Sequence, residues 1–262
     1  MRYPAGPLLA GRLERRYKRF LADVRLDDGT TVTAHCANSG SMLGLDAPGA
    51  EVLLRHVPDP RRKLAYTLEM VRPRGRAWVG VDTMRPNRIV RWAIEAGLVP
   101  GLDAAGGVRS EVVHGRSRID LQVGDTFVEI KNTTLARDVA VPAAGQPGSP
   151  GPFAGAADVR ARYPVAQGTG PHVATFPDAV TTRGAAHMDE LAAIVRAGGQ
   201  AVVVFFVNRS DCDRVDVARV VDAVYAAALQ RAVAAGVRVV PLGMDVSPHG
   251  WRVRGVLPFR SR

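Results

Sequence analysis

Residues 116–131 read RSRIDLQVGDTFVEIK, and no other stretch constrains the fold as tightly. Ile119, Leu121 and Val123 alternate with Asp120 and Gln122, the period-two sign of a strand with one buried face. TFVEIK continues with the β-branched and aromatic residues that suit a second strand, and Gly124-Asp125 between them makes a two-residue hairpin turn. Such a turn fixes the register, because a slip of one residue sends every side chain to the opposite face. Partners across the hairpin then have numbers summing to 249, which sets Asp120 opposite Glu129. Directly opposed side chains have Cβ atoms about 4.5–5.5 Å apart, and like charges there repel. Two facing carboxylates need a cation. Lys131 follows Glu129 by two residues on the same strand face, and it is one of only three lysines, with Lys18 and Lys63, among 35 Lys and Arg.

The chain of 262 residues has 47% apolar and 23% charged residues, enough for a sizeable core in one large domain or two of ordinary size. Its longest apolar run, AVVVFFV at 201–207, is far too short for a membrane span. Charges interrupt the N-terminus before a secretory apolar region can form. Cys36 and Cys212 are too few for a disulfide framework and lack metal-type spacing, so both read as buried thiols. The expected compartment is the cytoplasm. Of the net charge of +10, +7 falls on residues 1–100 and +3 on residues 101–262. A basic first segment is the electrostatic footprint of a nucleic-acid binder.

Residues 8–80 read as short strands, FLADVRL, TTVTAHC, AEVLLRHV, LAYTLEMV and RAWVGV, which predict a small barrel or sandwich. PNRIVRWAIEAG at 86–97 has helical spacing, with Pro86 near its start and Gly97 at its end. From residue 108 the pattern predicts an α/β domain: VRSEVVH, the hairpin, a helix near 181–197, QAVVVFFVN, a helix at 216–235 and VRVVPLGMDV. Residues 138–172, rich in Pro, Gly and Ala, read as a long flexible insertion. The expected domains are 1–82 and 83–262.

Paired carboxylates beside a lysine match the needs of metal-assisted phosphodiester hydrolysis. Mg²⁺ is typically held by one or two carboxylates and keeps several waters, and a lysine can position the attacking water or stabilise charge on the phosphorus oxygens. From spacing alone, a solvated hairpin with screened charges is the plainer reading, since Asp…Glu-x-Lys recurs by chance.

Six blocks decide between these readings: RRYKRFLADV (15–24), HCANSGSM (35–42), VDTMRPNRI (81–89), SEVVHGRSRIDL (110–121), VEIKNTTL (128–135) and FPDAVTTRGAAHM (176–188). In order and spacing the chain resembles the sugar fermentation stimulation protein A family. The resemblance implies an N-terminal OB-fold-like β-barrel and a C-terminal α/β domain with a mixed sheet, like the PD-(D/E)xK nucleases. It implies that Asp120, Glu129 and Lys131 form the catalytic set, with Mg²⁺ or Mn²⁺ on the two acids. It also implies binding of nucleic acid and a link to maltose-related gene expression. The alternative is therefore a non-catalytic DNA-binding regulator of sugar-metabolism genes. Two departures stand out: about thirty extra residues precede FPDAVT, and Ala37 stands where the family commonly has proline.

Around this set, Glu111 one strand earlier is either a third metal carboxylate or a surface residue. Arg183 and His187, four apart on one helix face, could grip a phosphate, with Asp178 or Thr181 capping that helix. Arg15, Arg16, Lys18 and Arg19 flank Tyr17 and Phe20, a mixture suited to backbone contacts and base stacking; a solvated face is the plain reading. Arg61, Arg62 and Lys63 form a second basic cluster. Asn38 and Ser39, beside Gly40 and Ser41, offer a polar loop to a phosphate.

Overall fold

The computed structural model describes residues 1–115, 117–139, 156–166 and 171–260. After the short β1 (Tyr3–Pro4) come β2 (Leu9–Tyr17), β3 (Leu21–Leu26), β4 (Thr31–His35), β5 (Glu51–His56), β6 (Tyr66–Arg72) and β7 (Val79–Gly80). Their order is β4-β3-β2-β5-β6-β7, and parallel pairing of Ala34 and His35 with Tyr66 and Thr67 joins β4 to β6. This closes a five-stranded barrel, the OB-type architecture expected. Alternation builds it: Gly11 and Leu13 of β2, and Ala22 and Val24 of β3, point inward, with Arg12, Glu14 and Arg25 outside. The first barrel strand, Leu9–Tyr17, is absent from the strands predicted by sequence because outward charges mask its pattern. The predicted strand RAWVGV supplies only the two residues of β7.

Glu69, on barrel strand β6, is fully buried. Arg85 grips it with Nε on Oε2 at 2.9 Å and Nη2 on Oε1 at 3.1 Å, and Arg55 bonds the same Oε1. Arg85 opens helix α1 (Arg85–Glu95), so this two-pronged ion pair locks α1 to the barrel. Removing one member of such a buried network costs about 3–5 kcal/mol.

The remaining elements are β8 (Val108–His114), β9 (Ser117–Val123), β10 (Thr126–Thr133), β11 (Leu135–Asp138), α2 (Ala156–Arg162), β12 (His172–Phe176), α3 (Thr182–Arg196), β13 (Gln200–Val207), β14 (Cys212–Val217), α4 (Ala223–Ala234), β15 (Arg238–Ser247), β16 (Gly250–Val256) and β17 (Phe259–Arg260). A seven-stranded mixed sheet runs β1-β16-β15-β13-β10-β9-β8, with β10, β13 and β15 parallel. Both faces are covered. Ile89, Val90 and Ala93 of α1 pack with Val202, Val204 and Phe206, while residues of α3 and α4 pack with Val203, Phe205 and Val207. Burial on two sides explains the unbroken apolar run of β13.

A second sheet, β11-β12-β14-β17, departs from the expected order of elements. The helix expected at 216–235 begins only at Ala223, where Asp222 accepts the Tyr225 amide at 2.9 Å, and Cys212–Val217 before it is a strand. These strands escape a hydrophobic pattern because they carry internal charges, including the buried Arg137–Asp216 ion pair. Part of the expected flexible insertion is also ordered: α2 and the following turn bury Val159 and Tyr163 against Leu43, Leu135 and Val221. Residues 140–155 and 167–170 of that segment lie outside the described residues. Among the described residues, no helix is long and apolar enough to cross a membrane.

Candidate active site

The hairpin adopts the expected register where it pairs: Thr126 with Val123, Phe127 with Gln122 and Val128 with Leu121. Beyond Val128 the ladder stops, while β10 stays paired with β13 along all eight of its residues. Asp120 and Glu129 are therefore not a ladder pair. Asp120 replaces the lost backbone partner with its side chain, accepting the Ile130 amide on Oδ2 at 2.7 Å, and Asn87 Nδ2 donates to Oδ1 at 2.9 Å. On its other side β9 pairs with β8 through Leu121–Ser110 and Ile119–Val112, skipping the row of Asp120 and Glu111. Glu111, Asp120 and Glu129 thus share one row across three strands, and both ladders are interrupted there.

Glu129 and Lys131 are both buried. Lys131 Nζ donates to Glu129 Oε1 at 2.7 Å, and His187 Nδ1 lies 2.5 Å from the same oxygen. Arg183 Nε donates to His187 Nε2 at 3.3 Å. That bond needs a lone pair on Nε2, so the ring hydrogen sits on Nδ1 and is given to Glu129. Both donors converge on Oε1, and Glu129 Oε2 is buried with no hydrogen-bond partner among the described residues. A buried carboxylate oxygen without a donor is costly unless a cation serves it.

The two acids are driven apart in acidity. Burial, and then the Glu129 charge, push the Asp120 carboxyl up to about 6. Burial acts upward on Glu129 too, but the His187 hydrogen bond and the Lys131 charge outweigh it and hold Glu129 below its ordinary value. Glu129 is ionised first, and its charge is what Asp120 resists joining.

Glu111 does not join them. It is exposed, holds a left-handed φ of 57°, and its carboxylate lies 3.7 Å from Arg118. Among the described residues, no three His, Cys, Asp or Glu are arranged to hold a metal. The Glu111 carboxylate is instead paired with Arg118.

Residues 84–144 and 165–250 match the description "Sugar fermentation stimulation protein RE domain", and residues 15–81 match "SfsA N-terminal OB domain". The chain belongs to the sugar fermentation stimulation protein (SfsA) family. A sugar fermentation stimulation protein homolog of Rhodospirillum centenum is 46% identical over 95% of each chain, and one of Rhodospirillum rubrum is 43% identical over 97% of each. A solved structure, that of Pyrococcus furiosus SfsA in complex with Ca²⁺, superposes over 99% of each chain with a TM-score of 0.75 at 24% identity.

In this SfsA family member the barrel loop at 37–41 meets Thr83 and Asp178 of the second domain. Thr83 Oγ1 donates to Ala37 O at 3.0 Å, and Asp178 Oδ2 accepts both the amide and the hydroxyl of Ser41, at 3.1 and 3.2 Å. Gly40 packs closely at this seam: a Cβ there would stand 2.8 Å from Asp178 Oδ2, so a larger residue would displace that carboxylate. Asp178 is therefore an interdomain latch, and Thr181 caps α3, accepting the Gly184 amide at 3.0 Å. Asn38 is buried and turns its Oδ1 onto the Gly40 amide at 2.8 Å, whereas Ser39 is exposed.

The basic residues divide by what they touch. Arg16 spends one nitrogen on the carbonyls of Arg19, Asn38 and Gly40 at 2.7, 2.9 and 2.9 Å, so it braces the loop from within. Arg15 pairs with Asp23 at 2.7 Å and lies over the Tyr17 ring at 4.6 Å, while remaining exposed. Lys18 and Arg19 occupy the β2–β3 turn with positive φ, both exposed beside Phe20. Arg61 pairs with Asp59 and Arg62 with Thr67 Oγ1, leaving Lys63 exposed.

Sequence reasoning passed over Asn87, although it lies in the block VDTMRPNRI; a helix-surface amide gives no signal until β9 is packed beneath it. It also passed over Tyr225, whose hydroxyl is buried without a partner among the described residues and is pushed upward by burial and then by the Glu129 charge. That proximity arises only when α4 folds onto the sheet.

Proposed function

We propose that this protein hydrolyses phosphodiester bonds in nucleic acid with a divalent cation held by Asp120 and Glu129. One observation carries the reading: both donors to Glu129 converge on Oε1, leaving buried Oε2, beside Asp120, without a partner among the described residues. The residues fit a hard cation of the Mg²⁺ or Mn²⁺ type, for which two carboxylates and retained waters suffice. The Ca²⁺ complex of the Pyrococcus furiosus relative agrees with this. When bound, such a cation supplies Lewis-acid stabilisation of phosphorus oxygens and lowers the pKa of a coordinated water.

The protein's own groups do the rest. Asn87 and the Ile130 amide fix the Asp120 carboxylate. His187, held by Arg183, fixes Glu129. Lys131 brings its ammonium to the reacting centre, where it stabilises charge developing on phosphorus oxygens. The exposed cations Arg15, Lys18 and Arg19, with Tyr17 and Phe20, hold the strand on the barrel by phosphate contacts and stacking.

Calorimetric titration with Mn²⁺ tests the site. Wild type is expected to bind, and Glu129→Gln and Asp120→Asn to lose most of the affinity. Equal affinity in all three would remove the metal from these residues.

A further inference from the structure

The hydrolytic site leaves a neighbouring cavity unused. It measures about 390 Å³ and lies between the outer side of α1 and the edge strand β8, where Met84, Asn87, Arg88, Arg91 and Ser110 line it. Asn87 joins it to the acid row, since the same side chain donates to Asp120 Oδ1 at 2.9 Å. Thr83, at its rim, holds the barrel loop through Ala37. The cavity therefore adjoins both the Asp120 carboxylate and the loop that joins the barrel to the sheet.

Its charge is cationic. Arg88 is exposed and makes no hydrogen bond or ion pair with any described residue. Arg91 uses Nε on Glu95 at 2.8 Å and Nη1 on Ser110 Oγ at 3.1 Å, which leaves Nη2 uncommitted among the described residues and holds the guanidinium in place. The one acid at the cavity, Glu111, lies 3.7 Å from Arg118. Planar guanidinium groups suit phosphate oxygens, which they bind in pairs. Met84 is 63% exposed and gives an apolar surface for a base. Cavities of this size hold small organic ligands.

We propose that this cavity is the subsite for the nucleotide adjoining the reacting phosphodiester, with its own phosphate on Arg88 and Arg91 and its base against Met84. The proposal rests on the hydrolytic reading for the identity of the strand, but the subsite needs no metal.

The test is a nitrogen-15 NMR titration of metal-free protein with deoxynucleoside 5′-monophosphates, deoxynucleosides and inorganic phosphate. The monophosphates should shift the side-chain Nε–H signals of Arg88 and Arg91 and the Ser110 amide, and bind at least fivefold more tightly than either other ligand. Arg88→Ala, a change at an exposed position, should weaken the monophosphates at least fivefold and leave the rest of the spectrum in place. Equal affinity in wild type and Arg88→Ala, shifts confined to the barrel, or inorganic phosphate binding as tightly as the nucleotides would each overturn the proposal. Because no divalent ion is present, these outcomes are independent of whether the acid row binds metal or cuts.

Discussion

His187 on α3 and Glu129 on β10 meet at a single oxygen, with Nδ1 2.5 Å from Oε1. Arg183 occupies the other ring nitrogen, so the imidazole works as a fixed donor that decides which Glu129 oxygen stays free. Groups that orient a metal-binding carboxylate in this way typically change metal affinity by about 10–100-fold when removed. His187→Ala should weaken Mn²⁺ binding by that order. His187→Asn, whose amide nitrogen can take the Nδ1 position, should restore most of it, and His187→Gln should restore less. Calorimetry on the three variants checks the order; equal losses in Asn and Ala variants would leave His187 a packing residue only.

Asp120 gives the metal-free protein a defined pH dependence. Its carboxyl is raised from 3.8 to about 6, so the folded state binds its proton more tightly than the unfolded state does. Stability from this group is therefore greatest at low pH and is lost as pH rises through about 6. Between pH 5 and 7.5 the loss amounts to about 1 kcal/mol. Glu129, held below its ordinary value, contributes in the opposite sense, and its share is lost only on acidification below that window. Urea unfolding of wild type and Asp120→Asn at the two pH values should show the wild type losing ground by about that amount relative to the variant. A constant difference would mean that Asp120 does not titrate in this range.

Lys131 has a separable role. Lys131→Ala should fold and bind Mn²⁺ with affinity close to that of wild type, because Oε2 of Glu129 and Asp120 remain. Its cleavage rate should fall by two orders of magnitude or more, a loss of about 3 kcal/mol in the barrier. Lys131→Arg should not recover it, since a planar guanidinium does not replace a compact ammonium. Single-turnover rates decide the matter, and full activity in either variant would exclude the lysine from the chemistry.

On the barrel, cations that are neighbours in sequence should behave differently. Replacing Arg15, Lys18 and Arg19 with alanine should lower the salt slope of single-strand binding by about 2, with little effect on melting. Arg16→Ala should instead destabilise the protein by about 2–3 kcal/mol, because it strands three carbonyls that its guanidinium now serves. Anisotropy across a salt series and thermal melts measure the two effects. A melt unchanged in Arg16→Ala would return that residue to the binding face.

Arg16 shows why part of the site was hidden in the sequence. A run of cations reads as a face, but the irregular pairing between Leu13 and Arg15 changes which residues of β2 point outward. The hairpin was legible because a two-residue turn leaves one register, and its three observed pairs keep it. The interruption at Asp120 was not legible, since it depends on β10 pairing with β13, more than seventy residues later, and on a side chain taking the Ile130 amide. Arg183 and His187 were legible from their spacing of four. Their target, Glu129 Oε1, was set by α3 packing on the sheet. The second sheet was missed because the Arg137–Asp216 pair puts charge inside it, where a hydrophobic pattern expects none.

Asp120, Glu129 and Lys131 are expected to cut nucleic acid with a divalent ion. The direct measurement is cleavage of end-labelled single- and double-stranded DNA and RNA by the purified full chain in Mg²⁺, Mn²⁺ and chelator. Wild type and Glu129→Gln should be compared at equal fold content. Metal-dependent cleavage of at least one substrate by wild type, lost in chelator and in Glu129→Gln, is the predicted result. Folded wild type that binds these nucleic acids and leaves them all intact, or cleavage that survives Glu129→Gln unchanged, would contradict it. Binding without cutting would point instead to a non-catalytic DNA-binding regulator.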